Sequence, residues 1–163
     1  GAYNIKNALA AITIGCYFGV PAEDICCALN GYIPNNNRSQ LTKTSCNHLI
    51  VDAYNANPTS MVAALENFRL MEVSHKIAIL GDMKELGESS MDEHCKIVSL
   101  LDECGFERVI LIGEEFGKVN RAYEHYNDVE EVKTILSCEK LQGKYVLMKG
   151  SNSMRLSLLK DVL

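Results

Sequence analysis

No stretch of this sequence is dense in lysine and arginine, and its 16 basic residues are outnumbered by 21 acidic ones. The resulting net charge of −5 argues against a general nucleic-acid surface. No apolar run approaches the roughly 20 residues of a membrane-spanning helix, and the first residues lack the basic start of a secretory signal. The seven cysteines, at 16, 26, 27, 46, 95, 104 and 138, form no C-x-x-C pair and no Cys/His cluster of zinc spacing. An odd number of scattered thiols fits reduced, mostly buried cysteines in a cytoplasmic protein. No G-x-G-x-x-G follows an apolar run, so the dinucleotide fingerprint is missing. The run Gly113-Glu114-Glu115-Phe116-Gly117-Lys118-Val119 has the wrong spacing for a P-loop, and Val119 has no hydroxyl for a metal ion. Ser39, Ser151 and Ser153 lack a nucleophile elbow. No repeat of 20–50 residues is visible.

What is present is an alternation of strands and helices. Residues 4–18 place Ile5, Ala8, Leu9, Ile12 and Cys16 on one helical face, with Gly19 as a stop. A shorter helix is expected over 21–29. The run Pro34-Asn35-Asn36-Asn37 breaks the pattern and marks a boundary. Residues 40–45 suit an edge strand that turns through Cys46-Asn47 into Leu49-Ile50-Val51, a buried strand. That strand opens into the polar turn Asp52–Asn57, and Pro58 begins a helix with Met61, Ala64, Leu65, Phe68 and Met71 inward and Asn57 as its cap. The same unit recurs. A strand over 76–80 opens into Gly81-Asp82-Met83-Lys84-Glu85-Leu86-Gly87, followed by a helix with a Ser90/Glu93 capping box that ends at Gly105. A strand over 108–112, a helix near 115–122 and a helix over 129–138 follow. A last strand over 145–148 opens into Lys149-Gly150-Ser151-Asn152-Ser153, and a final helix runs to Leu163. This order predicts an α/β fold with a mainly parallel sheet.

Three strand ends therefore carry polar turns: 52–57, 81–87 and 149–153. A parallel sheet brings them to one edge, where ligands of open α/β sheets bind. Helix N-termini there offer free N–H groups to phosphate or carboxylate. The alternative at each turn is simple capping, which Asp and Asn favour anyway. His94, one turn into a helix beside the 81–87 loop, suits a solvated or capping role more than a catalytic one.

The segments Asn37-Arg38-Ser39-Gln40, Asp52-Ala53-Tyr54-Asn55-Ala56-Asn57-Pro58-Thr59-Ser60-Met61, Leu80 to Gly87 with His94, and Lys149-Gly150-Ser151 strongly resemble the C-terminal domain of the Mur ligases. Residues 1–11 resemble the end of that family's central ATPase domain, so the resemblance covers the chain. It implies a Rossmann-like, mainly parallel sheet with helices on both faces, preceded by a short helical segment. Residues 1–33 would be the helical end of the central domain and a linker, and 34–163 the C-terminal domain. The strings Asp-x-Tyr-Asn-Ala-Asn-Pro-x-Ser and Gly-Asp-Met-x-Glu-Leu-Gly favour the branch that joins D-alanyl-D-alanine to UDP-MurNAc-tripeptide. That reaction uses ATP and Mg2+ and runs through an acyl phosphate in the cytoplasm.

By the same resemblance, Asn4 and Asn7 lie near adenine, Arg38 reaches ribose and phosphates, Asp52 meets the ribose hydroxyls, and Tyr54 lies against the base. Arg38 and Asp52 would form a clamp on closure. Asn55, Asn57, Asp82, Lys149 and Ser151 would line the D-alanyl-D-alanine side. No metal ligand is expected in this chain, because the P-loop and the magnesium ligands of the family belong to a central domain that the chain lacks. The chain is thus expected to be a fragment of a longer protein, without a nucleic-acid or membrane partner. Tyr3, Asn152 and Ser157 depart from the residues usual in the family. Other Mur-type or folylpolyglutamate-synthase-like ligases, or a non-catalytic α/β binding domain, are the alternatives.

Overall fold

The computed structural model describes residues 5–32, 40–119 and 122–163. The chain divides into two compact units, Gly1–Asn35 and Asn36–Leu163.

In the first unit, α1 (Ile5–Tyr17) and α2 (Ala22–Gly31) match the two expected helices to within a few residues. Gly19, at φ +73°, makes the left-handed turn that ends α1. Glu23 and Asp24 sit in the first turn of α2, where negative charge meets unpaired N–H groups. Gly15 lets the helices approach: a Cβ there would lie 2.9 Å from Cδ1 of Ile25.

The second unit is a six-stranded sheet in the order β1-β2-β6-β3-β4-β5. Its strands are β1 (Gln40–Lys43), β2 (His48–Asp52), β3 (Lys76–Gly81), β4 (Arg108–Ile112), β5 (Glu124–Tyr126) and β6 (Tyr145–Lys149). The edge strand β1 pairs antiparallel with β2, and the other four pairings are parallel. Its helices are α3 (Pro58–Leu70), α4 (Ser90–Cys104), α5 (Glu114–Val119) and α6 (Val129–Glu139).

Side-chain alternation assigns the two faces. In β3, Ala78 and Leu80 point to one face, where Leu65, Phe68, Ile97, Leu101 and Phe116 of α3, α4 and α5 cover them. Ile77 and Ile79 point to the other, under Val132 and Leu136 of α6 with Leu156 and Leu159. Helices thus lie on both faces, as expected. Phe68 is only 1% exposed at the centre of the first layer. Phe68→Ala should lower unfolding free energy by about 3–5 kcal/mol, read from a urea titration.

Several local expectations are corrected. The last segment is not an α-helix but two 3-10 turns, 152–154 and 156–161, separated by Arg155 at φ +52°. Strand β5 was not foreseen. It has three residues, too few for periodicity, and is defined by pairing with Ile110–Ile112. The Ser90/Glu93 capping box does not form. The N-cap of α4 is Ser89, without a side-chain bond, and Glu93 instead pairs with Lys96 at 2.6 Å. The hydroxyl of Ser90 donates to Glu115 across to α5, at 2.7 Å. The thiols are not mostly buried either: Cys104 is buried and the other six are exposed.

Asn47, 1% exposed, does more than turn the chain. Its amide donates to the carbonyls of Leu141 and Leu163, and its oxygen accepts the N–H of Lys144 at 3.0 Å. These bonds seat the start of β6 against the start of β2, although 97 residues separate Asn47 from Lys144.

Surface carboxylates set the response to acid. Glu115 is pulled down to about 2 by hydrogen bonds from Lys118 and then Ser90. Glu107 is lowered by Lys144 and His75, and Glu124 by Arg108. A carboxylate with a lowered folded-state value contributes stability above its unfolded value, and that contribution disappears as pH falls through the folded value. Melting temperature should therefore hold near neutrality and decline steadily from about pH 4.5 towards pH 2, in scans at constant ionic strength.

Candidate functional site

The carboxyl ends of β2, β6 and β3 are adjacent. β2 and β3 leave the sheet towards the α3/α4 face. β6 leaves towards the face covered by α6 and the final 3-10 turns, so the chain diverges on both sides of β6. Such divergence opens a crevice at the strand ends. The three polar turns predicted at 52–57, 149–153 and 81–87 meet at this rim.

Asp52 and Lys149 are partners in register on neighbouring strands. Val51 and Met148 both point to the α6 face, so alternation turns Asp52 and Lys149 together to the α3 face. The ammonium of Lys149 donates to Oδ2 of Asp52 at 2.6 Å and to the carbonyl of Asn55 at 3.4 Å. Its side chain is 1% exposed, that of Asp52 16%. Lys149 thus lies beneath the 53–57 turn, and its charge is directed at Asp52 rather than at the open rim. Tyr54, in that turn, is 50% exposed.

The asparagines of the turn are engaged locally. Oδ1 of Asn55 accepts the N–H of Ala56 at 2.9 Å. Asn57 caps α3: its Oδ1 accepts the N–H of Ser60 at 2.8 Å, and Oγ of Ser60 accepts the N–H of Asn57 at 3.1 Å. One of the N–H groups that could have met an anion at this helix start is therefore taken.

Asp82 is fully buried and faces inward. Its Oδ2 and Oδ1 accept the N–H groups of Glu115 and Phe116, at 3.1 and 3.0 Å, so it caps α5 from another strand end. Lys84 reaches Oδ2 at 3.0 Å. Gly113 makes the room: at φ +116°, its Cβ would sit 2.4 Å from the Asp82 carboxylate. The two remaining loops are joined by their backbones. The N–H of Ser151 donates to the carbonyl of Asp82 at 3.1 Å, and Oγ of Ser151 accepts the N–H of Lys84 at 2.9 Å. Gly150 lies so close that a Cβ on it would be 2.9 Å from Cα of Gly81.

His94 is fully buried, not solvated. The N–H of Met83 donates to its Nε2 at 3.1 Å, and its Nδ1 donates to the carbonyl of Ser90 at 2.7 Å. These bonds require a neutral ring protonated on Nδ1. The 3.9 Å approach of Nε2 to Asp82 is therefore not an ion pair. Its role is to hold the 82–87 loop.

The structure thus brings Asp52, Tyr54, Asn55, Lys149, Asp82 and Ser151 to one rim. Asn7 is on α1, in the other unit. Asn4 and Arg38, and with Arg38 the clamp expected with Asp52, lie outside the described residues. Gly113 and Asn47 were not singled out as site-forming, since what each accommodates or ties comes from a distant segment. A cleft of about 350 Å³, walled by Ser45, Cys46, Lys140, Gln142 and Leu163, lies at the opposite, amino-end edge and holds none of these candidates.

The chain is 33% identical over its whole length to the UDP-N-acetylmuramoyl-tripeptide–D-alanyl-D-alanine ligase of Treponema pallidum, and 31% identical to the ligase of the same name from Bacillus subtilis. It spans only 37% and 38% of those two proteins. Among solved structures, a MurF of Acinetobacter baumannii superposes with a TM-score of 0.84 at 27% identity, over 99% of this chain and 37% of that one. The family model for the Mur ligase glutamate ligase domain matches residues 37–152, the greater part of the chain, so the chain belongs to the Mur ligase family.

Proposed function

We propose that the chain is the C-terminal part of an ATP-dependent ligase that adds D-alanyl-D-alanine to UDP-MurNAc-tripeptide through an acyl phosphate, in cytoplasmic peptidoglycan-precursor synthesis. The observation that carries this reading is the meeting of three polar strand ends on adjacent parallel strands, in a chain matched end to end by relatives of that name. Residues 1–33 are taken as the helical end of the central ATPase domain, and 34–163 as the domain that closes over the nucleotide.

In this reading Asp52 and Tyr54 form the nucleotide side. A carboxylate accepts hydrogen bonds from ribose hydroxyls, and an aromatic face supports a purine. Asn4, Asn7 and Arg38 are taken, from the resemblance, as further nucleotide contacts. Ser151, Asn55 and Asn57 border the amino side, with Asp82 and Lys149 holding the loops from beneath. ATP supplies the phosphoryl group that activates the carboxylate. These residues orient the nucleotide and the incoming amine, and exclude water as the domain closes. Among the described residues there is no group of three or more His, Cys, Asp and Glu that could hold a metal ion.

The test is phosphate release by the full-length protein supplied with ATP and UDP-MurNAc-tripeptide. Release should depend on D-alanyl-D-alanine, and residues 1–163 alone should give none above background. Release driven by glutamate instead would favour a folylpolyglutamate-type ligase. No turnover with any amino substrate would favour a binding domain.

A further inference from the structure

We infer that Lys149 is a positioning residue for the nucleotide side of the rim, acting through Asp52 and the 53–57 turn rather than by touching the amino substrate. This rests on the reading above only in taking Asp52 to face the nucleotide. Lys149 is the last residue of β6, which lies between β2 and β3, and its backbone is in register with Asp52 on one side and Leu80 on the other. Its ammonium is 1% exposed, within 2.6 Å of Asp52 and 3.4 Å of the Asn55 carbonyl. One cation thus fixes both the carboxylate at the end of β2 and the turn that carries Tyr54.

Stability does not account for a lysine at this place. A buried ion pair gains little over well-packed apolar side chains of similar volume, because both charges must leave water. A methionine would fill the space beside Leu80 without that penalty. What the lysine supplies, and methionine cannot, is a fixed orientation of Asp52. With its Oδ2 held by Lys149, the carboxylate is ordered before a ligand arrives, so less ordering is left to the binding step. Lys149 also ties this point to β6, whose next residues meet the 81–84 loop: Gly150 packs against Gly81, and Ser151 is bonded to Asp82 and Lys84. The nucleotide and amino borders of the rim therefore share one strand end.

The experiment uses the full-length protein and its variants Lys149→Met, Lys149→Arg, Asp52→Asn and the double variant Asp52→Asn/Lys149→Met. ATP affinity is read by titration calorimetry, which does not require turnover, and KM for D-alanyl-D-alanine by phosphate release. Lys149→Met should weaken ATP binding about tenfold, equivalent to ~1.4 kcal/mol, and change KM for D-alanyl-D-alanine by a smaller factor. Lys149→Arg should recover most of the ATP affinity, and the double variant should bind ATP no worse than the weaker single variant. An effect confined to KM for D-alanyl-D-alanine, or additive losses in the double variant, would overturn the inference. So would a lowered melting temperature with unchanged ATP affinity. If Lys149→Met does not fold, the arginine variant decides: ATP affinity within threefold of wild type supports the inference, and a full tenfold loss overturns it. A wild type that binds ATP but ligates no D-alanyl-D-alanine removes the proposed substrate and leaves Lys149 to be judged on the ATP affinities. A wild type that binds no ATP overturns both.

Discussion

Asp82→Ala should lower the unfolding free energy of the protein by about 4 kcal/mol, the largest loss expected from any single substitution at the rim. The carboxylate is fully buried and accepts two backbone N–H groups, those of Glu115 and Phe116. Hydrogen bonds to a charged group contribute about 1.5–3 kcal/mol each, and their loss would leave two amides of α5 without this partner. The melting temperature should fall by roughly 10–15 °C for a unit of this size. Asp82→Asn keeps one acceptor oxygen and should lose about half as much. Gly113→Ala approaches the same defect from the other side. Its Cβ would occupy the position of the carboxylate, 2.4 Å away, at a φ of +116° that side chains avoid. It should destabilise by about 3 kcal/mol or more. The double variant Asp82→Ala/Gly113→Ala should fall short of the summed losses, because the collision disappears with the carboxylate and only the backbone strain remains. Thermal or urea unfolding of the four proteins measures this. Additive losses would show that the two residues act independently.

Asp52→Asn is expected to affect both folding and catalysis. It removes the negative charge 2.6 Å from a lysine that is 1% exposed. Breaking one side of a buried pair costs about 3–5 kcal/mol. With Asp52 itself 16% exposed, solvent screens part of the charge, and a loss of about 2–3 kcal/mol is expected. The loss arises because the carboxylate has a buried counter-charge 97 residues away. If the full-length protein is the ligase proposed above, its kcat/KM should also drop roughly tenfold or more. Measuring at a temperature well below the lowered melting point separates the two effects. Normal kinetics there would reduce Asp52 to a structural role. The paired variant Asp52→Leu/Lys149→Met should recover stability to within about 1 kcal/mol of wild type but not activity, since it restores packing without the acceptor.

Most of the local structure was legible because it is written in short-range periodicity. The 3.6-residue spacing of Met61, Ala64, Leu65 and Phe68 gives α3, and all four are buried. Pro58 and Asn57 mark its start, and the Asn57/Ser60 capping box is there. The second capping box failed because Ser90 had a better acceptor in Glu115, brought in by the packing of α5 on α4. The burial of thiols failed for a related reason: one helical face does not say how deep it will lie. β5 was missed because its three residues are half-buried throughout and carry no alternation.

The sequence by itself determined most of the elements, the polar character of three strand ends and the family whose motifs they carry. These depend on residues within one turn or one strand of each other, and on strings long enough to be specific. Only the tertiary structure decided that β6, last of the strands in the chain, lies between β2 and β3. Strand order follows from which apolar faces are buried together, and from tethers such as Asn47, and neither leaves a local signal. That placement turns Lys149 from a rim lysine into the buried partner of Asp52, and makes Asp82, at the end of β3, the cap of a helix that follows β4.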